Sequence, residues 1–182
     1  MDFLPTTIPG CFEIRPRVQE DSRGSFVKTF HADVFREHGL AFSFTEEYYS
    51  ISRQRVLRGL HFHLPPRDHA KLAYCLAGTV LDAVVDLRRG SSTFGKYELF
   101  TLTAEKKNIL YIPSGLAHGF YVQSEYALMM YKTTTVYSPE HDAGIRWDSA
   151  GIDWQDQSPV ISDKDRELSR LADFESPVFF AS

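Results

Sequence analysis

In the stretch RGLHFHLPPRDHAK, residues 58–71, Arg58, His61, His63, Asp68, His69 and Lys71 stand within fourteen positions. Imidazoles titrate near neutrality and can move protons. Guanidinium and ammonium groups meet phosphate oxygens or stabilise negative charge as it builds. The chemistry this combination suits is proton transfer on an anionic small molecule. If 57–63 is a strand, strict alternation puts Leu57, Gly59, His61 and His63 on one face, and Arg58, Leu60 and Phe62 on the other. Pro65-Pro66 ends that strand, since proline cannot donate to a ladder. Gly59, lacking a side chain, lets a ligand approach the backbone.

A second cluster is IPSGLAHGF, residues 112–120, where a tight Pro-Ser-Gly turn leads to His118 at the start of a strand. His61 and His63 with a distant His118 form the outline of a metal half-site, as in metal-dependent cupins such as dioxygenases. Pro113, Gly115 and His118 fit that pattern. The first half lacks its carboxylate, because Arg67 and Asp68 stand where a glutamate belongs. Arg67 and Lys71 would also repel a divalent cation, so no metal ligands are assigned.

The elements that must hold these residues are mostly strands. Short apolar runs near 71–78, 79–88, 95–103, 107–112, 118–123 and 127–136 are punctuated by Ala77-Gly78, Arg89-Gly90-Ser91-Ser92 and Pro113-Ser114-Gly115. Such close spacing predicts an all-β sandwich or barrel. Upstream, residues 1–10 read as a Pro-rich arm laid along a surface or a partner, and 11–18 as a strand. Residues 20–30 read as a turn into a Phe-rich strand, and 41–52 as another strand. His31–His38 predicts a short helix stopped by Gly39. Residues 148–158 read as loop. Ser162 is the N-cap of a tail helix whose first turn carries Asp163 and Asp165. No repeat or linker divides the 182 residues, so one domain spans 1–182, with an arm to about 10 and a helical tail from about 160.

Composition narrows the class. Hydrophobic residues make up 43% and charged residues 24%, ordinary for a globular chain, while fourteen Phe and nine Tyr favour β-structure. A formal charge of −4 argues against a nucleic-acid partner. Cys11 and Cys75 lack zinc or redox spacing and read as reduced thiols. No targeting segment or membrane-length apolar run is visible in the sequence, so the expectation is a cytoplasmic protein without a membrane partner.

Taken together, Arg23-Gly24 with Phe26, VLRGLHFHLPP with Lys71-Leu72, VLDAVVDLRRGSSTFG, IPSGLAHGF, Tyr131-Lys132, Tyr137 and Ile161-Ser162-x-Lys164-Asp165 resemble the dTDP-4-dehydrorhamnose 3,5-epimerase family. The motifs run in family order from about residue 10 to about 170. The resemblance implies a cupin-type jelly roll with short C-terminal helices, a homodimer paired by strand exchange, and no metal or cofactor. It implies inversion at carbon 3, carbon 5 or both of a nucleotide-linked 4-keto-6-deoxyhexose. On it, His61 is the base and Asp165 its carboxylate partner, with Asp163 and Asp82 as competitors for that place. Lys71 sits by the keto oxygen, and Tyr131 returns a proton from the opposite face. Arg23, Arg58 and His118 fall where the family holds the diphosphate, with Phe26 and Tyr137 as platform aromatics. His63 and His69 receive no role.

Three departures bear on the ligand. Lys28 stands where the family has Glu, Glu46 and Tyr48 where it has Gln and Asn, and Phe62-His63 where it has Tyr-Gln. These positions belong to the nucleotide and sugar surroundings in the resemblance. Lys28 supplies a donor and Glu46 an acceptor, a pairing that suits cytosine better than thymine. A CDP-linked substrate is therefore the alternative to the dTDP-linked one.

Overall fold

A computed structural model describes residues 1–180. Two antiparallel sheets face each other as a jelly-roll sandwich. The six-stranded sheet runs β1 (Asp2–Pro5), β2 (Phe12–Arg15), β10 (Ile109–Ile112), β7 (Lys71–Ala77), β12 (Tyr126–Thr133), β5 (Glu46–Arg53). The five-stranded sheet runs β13 (Asp142–Gly144), β6 (Leu57–His63), β11 (Leu116–Val122), β8 (Thr79–Asp86), β9 (Tyr97–Thr103). β3 (Val18–Asp21) and β4 (Gly24–Val27) form a separate hairpin. The expected strands from 71 onward are present with shifted ends. The expected 41–52 strand begins only at Glu46, and the expected 11–18 strand breaks after Arg15, where Pro16 follows. Residues 2–5, within the stretch read as an arm along a surface or a partner, pair with β2 of the same chain, Asp2 opposite Arg15.

Alternation along the strands divides three apolar layers. Ala73 and Cys75 of β7, Val80 and Val84 of β8, and Ala127, Met129 and Tyr131 of β12 point between the sheets and form the central core. The opposite faces of the same strands carry different sets. Leu81, Ala83 and Val85 lie under the C-terminal tail, which contributes Ile152, Trp154 and Val178. Leu72 and Tyr74, with Ile14, Ile109 and Tyr111, lie under α1 (Ala32–Glu37). Six residues cannot hold a helix by themselves. α1 is anchored by Phe35, which is fully buried and meets Phe3, Phe30 and Tyr111 edge-on. The tail is pinned likewise by Trp154, whose indole N–H donates to the Trp147 carbonyl at 2.9 Å.

β6 departs from strict alternation. His61 is opposite His118 and Arg58 opposite Phe120, so two residues of β6, Gly59 and Leu60, stand against one of β11, Gly119. The extra residue turns the parity over. Arg58, expected on the face away from His61, lines the same cavity as His61, while Leu60 and Phe62 join Leu57 under the tail. Gly59 makes the bulge possible, for its φ is +138° and a Cβ there would sit 2.5 Å from the Gly119 Cα. Gly59→Ala should therefore lower stability by about 2 kcal/mol or more, from backbone strain plus the collision with β11. Urea unfolding midpoints of variant and wild type measure it, and an unchanged midpoint would mean that β6 does not depend on this glycine.

Candidate active site

A cavity of about 590 Å³ opens between the two sheets. One wall is β5 and β12, with Tyr48, Ser50 and Tyr131; the other is β6 and β11, with Arg58, His61 and His118. The tail closes it with Ile161, Ser162, Lys164 and Asp165. Its size is that of a small-molecule pocket. His61 and Tyr131 thus belong to different sheets and reach into one space.

His61 Nε2 lies 2.7 Å from Asp165 Oδ1. Asp165 sits in α2 (Asp163–Glu167) and is aimed inward by its cap: its N–H donates to the Ser162 hydroxyl at 3.1 Å. The other carboxylate oxygen accepts from the Gly59 N–H at 3.3 Å. Burial pushes the Asp165 carboxyl up, but His61 and the Gly59 N–H outweigh it and hold it below the usual carboxylate range. An ionised carboxylate only accepts, so His61 Nε2 carries the proton and Nδ1 is left with a free lone pair. Asp163, the neighbouring candidate, has a fully exposed side chain.

Asp82 is the partner of His118, not of His61. Its Oδ2 lies 2.8 Å from His118 Nε2, and both side chains are buried. Burial raises the Asp82 carboxyl, opposed by His118 and Lys71. Asp82 Oδ1 is one of two buried polar side-chain atoms without a partner among the described residues, the other being His31 Nδ1. Lys71, in register with Thr133, shares the inward face of β7 with Ala73 and Cys75. Burial brings its ammonium down to about 8, with Asp82 and Asp142 opposing.

Tyr131 is buried, with its hydroxyl 3.4 Å from the Ser50 hydroxyl. Burial above all keeps this phenol far above its ordinary pKa, so it stays protonated at neutral pH. Tyr48 stacks on it, ring centroids 4.9 Å apart, and is itself pushed up to about 12 by burial and the Glu46 charge. Arg58 Nε donates to the Ser52 hydroxyl at 2.9 Å.

Of the residues singled out from sequence, His61, Tyr131, Asp165, Arg58, His118 and Tyr48 line this cavity. Glu46 and Tyr137 line an adjoining one, with Tyr48 shared between the two. Arg23 and Phe26 lie apart, on the β3–β4 hairpin, where Phe26 is 61% exposed and Arg23 pairs with Asp21. Lys28, exposed just beyond β4, lines neither cavity, so one chain does not bring it together with Glu46. Ser50, Ser162 and Lys164 also line the cleft. Ser162 and Lys164 stand in the sequence as cap and motif residues without a site role, and Ser50 carries no signal beyond its place in a strand. Among the described residues no group of three or more His, Cys, Asp or Glu could hold a metal ion. Of the three histidines in the half-site outline, His61 and His118 each face a carboxylate, while His63 Nε2 accepts from the Ser138 N–H.

Comparison with known proteins gives a consistent result. The profile of the dTDP-4-dehydrorhamnose 3,5-epimerase family matches residues 5–173. The dTDP-4-dehydrorhamnose 3,5-epimerase of Shigella flexneri is 42% identical over 95% of this chain and 97% of its own length. The crystal structure of dTDP-6-deoxy-D-glucose-3,5-epimerase from Legionella pneumophila, in complex with dTDP-4-keto-L-rhamnose, superposes with a TM-score of 0.93 at 35% identity, covering 99% of each chain. A 3'-monoepimerase from Streptomyces bikiniensis, in complex with dTDP-quinovose, superposes at 0.88 with 31% identity over 92% of this chain and 87% of that one.

The two His–Asp pairs differ in depth, and that difference is measurable. His118→Leu removes the partner of a fully buried carboxylate and should cost about 3–5 kcal/mol of stability. His61→Leu, at a side chain 30% exposed, should cost well under half of that. Chemical denaturation of both variants compares them, and equal losses would contradict the assignment of the deeper pair to His118.

Proposed function

The chain belongs to the dTDP-4-dehydrorhamnose 3,5-epimerase family, and within it we propose that His61 and Tyr131 invert carbon 3, carbon 5 or both of a dTDP-linked 4-keto-6-deoxyhexose. The protein is an isomerase of nucleotide sugars. The observation that carries the residue roles is the placement of His61 and Tyr131 on opposing sheets, with one cavity between them.

A hydrogen next to a ketone leaves as a proton if a base meets it and the enolate oxygen is stabilised. His61 Nδ1 takes the proton from one face, while Asp165 holds Nε2–H and stabilises the imidazolium as it forms. Lys71 stands by the keto oxygen, where its charge offsets the enolate. Tyr131, kept protonated by its surroundings, returns a proton to carbon from the other face, and the centre is inverted. The cavity of about 590 Å³ that both side chains line has room for a sugar ring between them. Arg58 takes a diphosphate oxygen. Glu46 and Tyr48 hold the nucleotide or sugar beside it, and His118 braces the floor through Asp82. The chemistry proposed here routes no step through a metal or cofactor.

The reading includes a homodimer. Arg23, Phe26 and Lys28 project on a hairpin that leaves their own cleft untouched, which suits delivery to a partner's cleft. The edge strand β5 exposes Tyr49 and Ile51, and the same region exposes Leu76 and Tyr126. An apolar sheet edge of this kind is normally covered.

Two outcomes are expected. Incubation of dTDP-4-keto-6-deoxyglucose with the protein in deuterium oxide should place one deuterium at each inverted carbon, read by NMR. One label or two then distinguishes a monoepimerase from a 3,5-epimerase, and no label at either carbon would end the epimerase reading. The second concerns pH. Lys71 must be charged to stabilise the enolate, and its folded-state pKa lies below the ordinary lysine value, so kcat/KM should fall as pH rises through about 8. In Lys71→Arg, whose guanidinium stays charged, that limb should vanish although the rate is lower throughout. A limb near 8 that survives the substitution assigns it to another group.

A further inference from the structure

Every inversion leaves the acid spent. If Tyr131 gives its phenolic proton to carbon while His61 takes one from carbon, the cleft ends with a phenolate and an imidazolium. Neither can act on another carbon until one proton has entered at the tyrosine and one has left the histidine. The His61 side chain is 30% exposed, so water reaches it directly. Tyr131 is only 5% exposed, and the Tyr48 ring stacks on it with centroids 4.9 Å apart. Its proton has to arrive through a neighbour.

Strand register supplies one. Tyr131 of β12 stands opposite Tyr48 of β5, and Met129 opposite Ser50. Met129 and Tyr131 share the inward face of β12, so Ser50 is the diagonal neighbour of Tyr131 across the ladder. Among the described residues the Ser50 hydroxyl is the sole hydrogen-bond partner of the Tyr131 hydroxyl, at 3.4 Å, and either oxygen can be the donor. That separation is long for two neutral hydroxyls. A phenolate draws the donor closer, because hydrogen bonds to an ionised oxygen are shorter and stronger. Ser50 is half-buried, lines the cleft and sits on the strand that ends the six-stranded sheet. It can therefore touch water and phenol together. The next inward hydroxyl, Ser52, is buried and accepts from Arg58 Nε, so it is engaged elsewhere.

A hydroxyl has one hydrogen to give and lone pairs to receive another. Resting on the reading that Tyr131 is the acid, we propose that Ser50 is the proton relay that recharges it between inversions. The Ser50 hydroxyl gives its hydrogen to the Tyr131 phenolate and takes one from a water molecule in the cleft. The hydroxide formed there is neutralised by the proton that His61 releases. The net change is one proton moved from imidazolium to phenolate, with no other reactant consumed. Burial, which keeps the phenol far above its ordinary pKa, drives the transfer in this direction.

Rapid-quench turnover of dTDP-4-keto-6-deoxyglucose in deuterium oxide by wild type, Ser50→Ala and Ser50→Thr tests it, with carbon-bound label counted per site over time. Ser50→Ala should show a burst of one label per site, then a steady rate about tenfold or more below that of wild type. Imidazole buffer at rising concentration should speed the slow phase, because a small acid replaces the missing hydroxyl. Ser50→Thr, which keeps a hydroxyl at the same place, should turn over without the slow phase. A side chain that only shapes the cleft would slow first and later inversions alike and would leave no response to buffer. A steady rate in Ser50→Ala equal to that of wild type overturns the relay. So does a slow phase that neither imidazole nor the threonine relieves. Wild type that places no deuterium on either carbon removes the epimerase reading itself, a separate failure from a variant without effect.

Discussion

One carboxylate ties the site to the fold. Asp165 accepts from His61 with one oxygen and from the Gly59 N–H with the other. It therefore joins the tail helix, the His61 imidazole and the β6 bulge that turns Arg58 into the cleft. Each partner depends on a different local device. The Ser162 cap sets the helix, glycine permits the bulge, and the Gly119 backbone gives it room. A buried carboxylate without these donors would be costly, so the tail must dock before the cleft is complete. Trp154 and its apolar neighbours hold the tail in place.

Around that carboxylate the electrostatics are graded by depth. The outer pair, His61–Asp165, is partly open to solvent on the His61 side. The inner pair, His118–Asp82, is sealed. Lys71 lies close enough to Asp82 for that charge to oppose part of its burial cost, which leaves its ammonium poised near neutrality rather than fixed. Tyr131 is biased the other way, toward holding its proton, by the same exclusion of water. The groups proposed as base, acid and cation are set apart by how deeply the two sheets bury each of them.

Much of this is legible in the residues. Glycine turns and short apolar runs mark the strands from Lys71 to Thr133, and the Ser162 cap marks the helix that carries Asp165. Local rules do not reach three features. Arg58 lies on the His61 side because one inserted residue reverses parity, which a period-2 count cannot foresee. Asp82 pairs with His118 across thirty-six positions, a neighbour set by the β8–β11 register and not by spacing. Residues 2–5, inside the stretch read as an arm, pair with β2, a long-range partner that no local signal names.

The central claim is that base and acid work from opposite walls, so abstraction and return of the proton can be separated. Tyr131→Phe and His61→Asn, each incubated with the keto sugar nucleotide in deuterium oxide, measure this directly by comparing label uptake with change of configuration. Loss of the phenol should leave exchange at carbon while inversion falls by about 10²-fold or more, and loss of the imidazole should suppress both. If Tyr131→Phe still inverts at the wild-type rate, or His61→Asn still exchanges, the two-wall account is wrong.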